Sequence, residues 1–305
     1  MMALLRLRNR DWRGDLSRSK AGYAFLLPWL IGFFGLTLGP TLVSLYLSFT
    51  RFDLFRAPHW IGLDNYVRIA TADPNFMASM RVTFLYVIVS VPLKLTLALA
   101  LAAVLNRGIR GLPIYRAIFY LPSLLGSSVA IAIVWRQLFA GNGLVNSVLA
   151  NFGIVGPSWI STPRYALWTL VLLSAWQFGS PMVIFLAGLR QIPQDLYEAA
   201  SIDGASRMRK FFSITLPLLT PVIFFNFVVQ MIDAFQSFTP AFIVSRGTGG
   251  PLNSTLFYAL YIYQEAFSHF QMGYAAALAW ILLVLIAIFT AFSFLTSRLW
   301  VFYDA

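Results

Sequence analysis

The chain has no cysteine in its 305 residues, which removes disulfides, zinc–thiolate sites and thiol nucleophiles from its possible chemistry. Its two histidines, His59 and His269, sit in separate hydrophilic stretches and cannot alone complete an ordinary metal site. Charged residues make up only 11% of the sequence, where a water-soluble domain carries about a quarter. There is no Gly-x-x-x-x-Gly-Lys-Ser/Thr loop to cradle ATP phosphates, no His-Glu-x-x-His zinc motif and no Gly-x-Ser-x-Gly nucleophile elbow. The sequence therefore nominates no catalytic residue, no metal ligand and no cofactor bound by the chain itself.

What fills the chain instead is apolar: 59% hydrophobic and 16% aromatic residues, with a mean hydropathy of +0.74. A net charge of +11 is also found in proteins that bind nucleic acid. The basic residues, however, fall in short clusters between apolar runs, the pattern that orients a membrane protein, so no nucleic acid is expected. A helix needs about 20 apolar residues to cross a bilayer. Six segments qualify, near 23–49, 83–105, 117–138, 166–189, 218–241 and 275–296. The expectation is an all-α, polytopic membrane fold over 21–305, preceded by a basic tail over 1–20. The first run is too long for a signal-peptide core of about 7–15 residues and reads as a retained span. Pro28, Pro40, Pro92, Pro122 and Pro181 fall inside spans and suggest kinks within a packed bundle. Gly35 and Gly39 have the spacing of a close helix contact, which chance explains equally well.

With the N-terminus inside, fourteen Lys and Arg residues lie on the cytoplasmic side and seven on the outer side, which puts both termini in the cytoplasm. Arg107, Arg110 and Arg116 belong to the second cytoplasmic segment. The long first and third outer loops are read as short amphipathic helices, with Trp60 and Trp159 as interfacial anchors.

The loop between spans four and five is the most informative stretch. Pro193 suits a first helical turn, and Asp195 and Glu198 favour the positive end of that helix. Ala199, Ala200 and Ser201 leave a surface with almost no side-chain bulk. Gly204 permits a sharp turn into a second, basic helix. The result is a short helix–turn–helix that another protein can approach closely.

The run Glu198-Ala199-Ala200, then Asp203-Gly204-Ala205, then Ile214 to Pro217 resembles the EAA motif of binding-protein-dependent ABC transporter permeases. The likeness extends to Trp60–Tyr66, Gly247–Pro251 with Ser254-Thr255, and Met272–Ala276, and is sharpest for the carbohydrate-uptake branch that includes the maltose and glycerol-3-phosphate permeases. The resemblance implies a bacterial plasma (inner) membrane subunit, not an enzyme. It implies that residues 193–210 seat on an ATPase, with Glu198 meeting basic groups, Ala199 and Ala200 packing at the contact, Asp203 and Ala205 within the motif, and Gly204 setting the bend. Its implied partners are a second permease subunit, two ATPase subunits that hold ATP and magnesium, an extracellular solute-binding protein and membrane lipid.

Inside the apolar runs, charges cost about 2.5–3.5 kcal/mol each, so Lys94 and Asp233 need a reason. Each could line a polar cavity or the two could neutralise one another; for Lys94 a structural role is preferred, its long stem snorkelling toward water. Asn226, Gln230, Asp233 and Ser237 fall on one side of a helical wheel in span five. This stripe is either glue between helices or the wall of a solute path, with Gln177 and Ser180 of span four as weaker candidates opposite. Phe235, Phe238, Trp176 and Tyr258 are the available aromatic faces for a sugar, though none stands out. A phosphorylated or anionic solute is less favoured beside Asp233 unless Lys94 or the partner subunit compensates. Two other readings stay open. Asp233 could serve an ion-coupled secondary transporter, and His59-x-x-x-x-Asp64 has the spacing of an acyltransferase-type base.

Overall fold

A computed structural model of the chain describes residues 25–108, 111–126 and 128–302; the expected basic tail over 1–20 and Arg110 lie outside these residues. The chain runs through α1 (Phe25–Ser48), a two-residue antiparallel ladder of β1 (Thr50–Arg51) and β2 (His59–Trp60), then α2 (Asp64–Thr71) and α3 (Pro74–Leu105). It continues through α4 (Leu112–Leu125), α5 (Val129–Leu138), α6 (Leu144–Asn151), α7 (Pro163–Trp176) and α8 (Gly179–Gln191). The rest comprises α9 (Gln194–Ile202), α10 (Arg207–Lys210), α11 (Thr220–Phe235), α12 (Thr239–Ser245), α13 (Tyr258–Tyr263) and α14 (Met272–Ser297). Among the described residues four helical stretches are long and apolar enough to span a membrane: α1, α3, α11 with α12, and α14. The pairs α4–α5 and α7–α8 are bent by 95° and 41°, which brings the number to six if each pair is one span. The fold is that of an all-α polytopic membrane protein.

The helices depart from the expected spans where a cap or a break intervenes. The second span begins at Pro74 rather than near 83, because Asp73 accepts from the backbone N–H groups of Asn75 and Phe76 and Pro74 takes the first helical position. The third expected span, 117–138, is two helices, and the fourth, 166–189, is divided at Gln177 and Phe178. The fifth is interrupted between Phe235 and Thr239. Prolines act through local widening: π-helical turns at Phe33–Leu38 and Phe211–Thr215 lie just before Pro40 and Pro217. There the missing N–H and the ring clash with the preceding turn are absorbed. Pro92, by contrast, is carried within α3 without a break in the helix. Among the described residues no other segment approaches Gly35, and a Cβ on Gly39 would meet only the Phe34 carbonyl of its own helix, so their spacing serves no contact there.

The core forms around α3. Val87, Val91, Leu95, Ala98, Ala102 and Leu105 recur every three or four residues and are buried, the stripe a helix presents to its neighbours. They pack against α7, α8, α11 and α13. Leu36 on α1 and Ile114, Ile118 and Leu121 on α4 stay exposed, as expected for faces in contact with lipid, whose tails are as apolar as leucine.

At the end of the bundle where α3 begins, Asp73 is a hub. Besides capping α3, it accepts from the hydroxyl of Tyr261 at 2.6 Å and from that of Tyr274. Burial first, then the hydrogen bond to Asp73, push the Tyr261 hydroxyl well above its ordinary pKa, so it remains the donor. The Arg68 guanidinium lies 4.2 Å from the centre of the Tyr274 ring and donates to Gln271 at 2.6 Å. Asp73→Ala removes a cap worth about 1 kcal/mol and strands two hydroxyls at about 1–3 kcal/mol each. Thermal melting of the purified protein should drop by several degrees, and Asp73→Asn should recover part of the loss.

Candidate functional site

Two regions carry the residues nominated by the sequence. The first is the α9–α10 turn. Pro193 sits just before α9, and the helix starts at Gln194. Gly204 adopts φ +73°, and the Ala205 N–H reaches back to the Ala200 carbonyl at 2.9 Å, the left-handed closure that glycine favours at a helix C-terminus. Ser206 then caps α10 by accepting from the Arg209 N–H. Glu198, Ala199, Asp203 and Gly204 are exposed, while Ala200 and Ala205 are half-buried. The sequence argument missed two features here. Ile202 and Met208 are 87% and 66% exposed, so the small-residue surface has an apolar rim, the make-up of a docking patch. The turn is also tied down: Tyr197 and Thr215 share a hydrogen bond of 2.8 Å, and Lys210 donates to Ser201 at 2.5 Å. Movement imposed on α9 therefore reaches the start of the fifth span through side chains as well as backbone.

The second region is a cavity of about 420 Å3 between α3, α7, α11 and α12. Gln177, Gln230, Asp233 and Ser237 line it together with Lys94, Tyr86, Ser174 and Gln236. Lys94 thus faces the cavity opposite Asp233 instead of standing apart as a snorkelling side chain, and no ion pair within 4.0 Å joins the two. The wheel stripe divides at its first member. Asn226 is 1% exposed, outside the cavity lining, and turns its amide onto the Val222 carbonyl of its own helix at 3.1 Å. Ser180 is likewise outside the cavity lining; its N–H donates to Ser123. Of the four aromatics, only Phe238 borders the cavity. Phe235 and Tyr258 are fully buried, Tyr258 donating to the Leu278 carbonyl, and Trp176 packs on Trp135.

Gln177 holds its place because the α7–α8 break is cross-braced to α4. Ser123 donates to the Gln177 carbonyl at 2.9 Å and accepts from the Ser180 N–H at 2.9 Å, and the Gln177 amide donates to the Gly126 carbonyl at 3.0 Å. The cavity so formed has separated donors and acceptors on facing spans, which suits a neutral polyhydroxylated solute. His59 lies in β2 and Asp64 opens α2, both exposed, and no hydrogen bond joins them among the described residues.

A polytopic helical bundle with a polar cavity between its spans and an exposed helical turn suits a membrane transport subunit. Residues 85–300 match the family of binding-protein-dependent transport system inner membrane components, and the chain belongs to that family. It is 54% identical to the probable ABC transporter permease protein YesP of Bacillus subtilis over 93% of each chain. It is 33% identical to the lactose transport system permease protein LacF of Rhizobium radiobacter over 91% of this chain and 94% of that one. In fold it matches a chain in the crystal structure of a bacterial alginate ABC transporter in complex with an alginate pentasaccharide-bound periplasmic protein, with a TM-score of 0.79, 22% identity, and 95% and 97% coverage.

Proposed function

We propose that the chain is one membrane-spanning half of an ATP-driven importer for a sugar or sugar-like solute handed over by an extracellular binding protein. The observation that carries this is the cavity in which Gln177, Gln230, Asp233, Ser237 and Lys94 converge inside a chain of this permease family. The second half is a related permease subunit, and two ATPase subunits bind ATP and magnesium beneath them. The excess of Lys and Arg on the α9–α10 side supports a multi-pass subunit of the bacterial inner membrane with that turn and both termini in the cytoplasm. The turn, with Glu198, Ala199, Ala200, Asp203, Gly204 and Ala205, seats in a groove of one ATPase subunit. ATP-driven closure of the ATPase pair pushes on α9, and the cavity switches from inward-facing to outward-facing. Asp233 accepts from solute hydroxyls while Lys94, Gln177 and Gln230 donate to them.

The test is uptake of a panel of labelled sugars into proteoliposomes holding this chain, its partner permease and the ATPase, with the binding protein added. Uptake should require both ATP and the binding protein. A hydrogen bond to a charged group is worth about 1.5–3 kcal/mol, so Asp233→Asn and Lys94→Met should each reduce uptake about tenfold to a hundredfold. Uptake that persists without ATP would instead establish a secondary transporter.

A further inference from the structure

The polar groups of the cavity between α3, α7, α11 and α12 fall into two levels. As alternate spans, α3 and α7 run away from the end of the bundle where Asp73 sits, and α11 runs toward it. Lys94, Gln177, Gln230 and Asp233 therefore stand at the far level of the cavity, and Tyr86, Ser174 and Ser237 at the level nearer Asp73. Seven positions separate Gln230 from Ser237, and eight separate Tyr86 from Lys94. At about 1.5 Å per residue the polar wall is about 10–12 Å tall, long enough for two linked pyranose rings and too long for one. The volume of about 420 Å3 likewise exceeds that of a single hexose.

The two levels differ in chemistry. The far level holds one cation and one anion, Lys94 and Asp233, with two amides. The near level is uncharged: the Tyr86 hydroxyl lies among those of Ser174 and Ser237, and the Phe238 ring borders the cavity beside them. A few placed hydroxyls next to an aromatic face match a neutral sugar ring, which offers hydroxyls at its edge and C–H groups on its face. Both rings of this level are fixed from behind. Tyr86 packs on Phe257 with centroids 4.5 Å apart, and Phe238 packs on Phe242 at 5.2 Å and on Tyr263 at 5.1 Å. Groups already held in place lose little freedom when solute arrives.

We infer that the near level is a second sugar subsite, so that the cavity selects a solute of at least two linked units. One ring is held by Tyr86, Ser174, Ser237 and Phe238, and the next lies between Lys94 and Asp233. The inference deepens the proposed importer function and rests on it. A monosaccharide would engage one level and leave the other to water.

The complete reconstituted complex, with its own binding protein, is given labelled gluco-, galacto- and xylo-oligosaccharides of one to four units. Tyr86→Phe and Ser174→Ala should each lower the ratio of two-unit to one-unit uptake about threefold to tenfold, the factor a neutral hydrogen bond supplies. Wild type and variants receive the same binding protein, so its own length preference cancels. Phe238→Leu should lower the same ratio and Phe238→Tyr should restore it, whereas Asp233→Asn should slow both lengths alike. Saturation-transfer NMR of maltose, lactose and xylobiose on the complex in lipid nanodiscs, without binding protein, reads the contacts directly. Both rings of a disaccharide should receive saturation, and Tyr86→Phe should weaken the signal of one ring only. Saturation of one ring or of none in wild type overturns the inference. A Tyr86→Phe loss equal for one-unit and two-unit sugars also overturns it and makes Tyr86 a packing residue. If wild-type uptake proceeds without ATP, the importer function fails, while the NMR result still decides whether two subsites exist.

Discussion

Replacing Gly204 with proline should cut ATP-driven uptake by about a hundredfold or more while the complex still assembles. Gly204 holds φ +73° and its N–H donates to the Ser201 carbonyl at 3.1 Å. Proline fixes φ near −65° and has no N–H, so both features are lost at a cost of about 3 kcal/mol or more. The closure from Ala205 to Ala200 opens, and α9 no longer presents Ala199, Ala200 and Ile202 in one orientation. The damage stays local because nothing lies within 4 Å of a Cβ built on Gly204. The same open space makes the control informative. Gly204→Asn fits sterically, and asparagine enters the left-handed region at modest cost, so it should retain most activity, with Gly204→Ala between the two. Uptake and binding-protein-stimulated ATPase measured side by side separate the outcomes. Lost uptake with surviving basal hydrolysis marks a broken link between ATPase and membrane helices. Uptake that withstands proline would show that the bend does not transmit the stroke.

How far the sequence discloses this molecule depends on whether the signal is a run or a contact. Apolar runs near twenty residues are long compared with the turn that ends them, so the helical membrane fold is legible from them. The breaks are not. Gln177 carries no local signature of a bend, and at Gly126 the glycine and the Ser128 cap of α5 allow a break without fixing its geometry; what holds the two breaks together is the set of bonds from Ser123 and Gln177, which join segments about fifty residues apart in the chain. Asp73 reads as one more loop charge until Tyr261 and Tyr274 are brought to it. The helical wheel places Asn226 in line with Gln230 and Asp233, because a wheel records direction and not where a cavity ends. A buried asparagine can also satisfy itself on the carbonyl four residues back, as Asn226 does. Lys94 is conspicuous in sequence as a charge within an apolar run, yet its facing toward Asp233 across the cavity depends on how α3 packs against α11.

The second large effect is expected at Gly179, where α8 crosses α4. A Cβ there would lie 2.4 Å from the Phe119 carbonyl oxygen and 2.7 Å from the Tyr120 Cα. Both are helix backbone and cannot rotate away as a side chain would. Gly179→Ala must push α4 from α8, which loosens both hydrogen bonds of Ser123 and the bond from Gln177 to Gly126. Overpacking costs about 1–3 kcal/mol, and each buried polar group left unpaired adds about 1–3 kcal/mol, so the melting temperature of the purified complex should fall by about 5–10 °C or more. Uptake should fall further than stability explains, because Gln177 loses its position in the cavity. Two other glycines calibrate the effect. At Gly188 a Cβ would meet Leu219 and Val222 side-chain atoms at 2.9 Å, which can shift; at Gly35 nothing lies within 4 Å. Alanine should therefore be tolerated at Gly35, cost an intermediate amount at Gly188 and be most damaging at Gly179. A Gly179→Ala protein that melts with wild type would mean that α4 and α8 do not hold this crossing, and that the bend at Gln177 is maintained by some other contact.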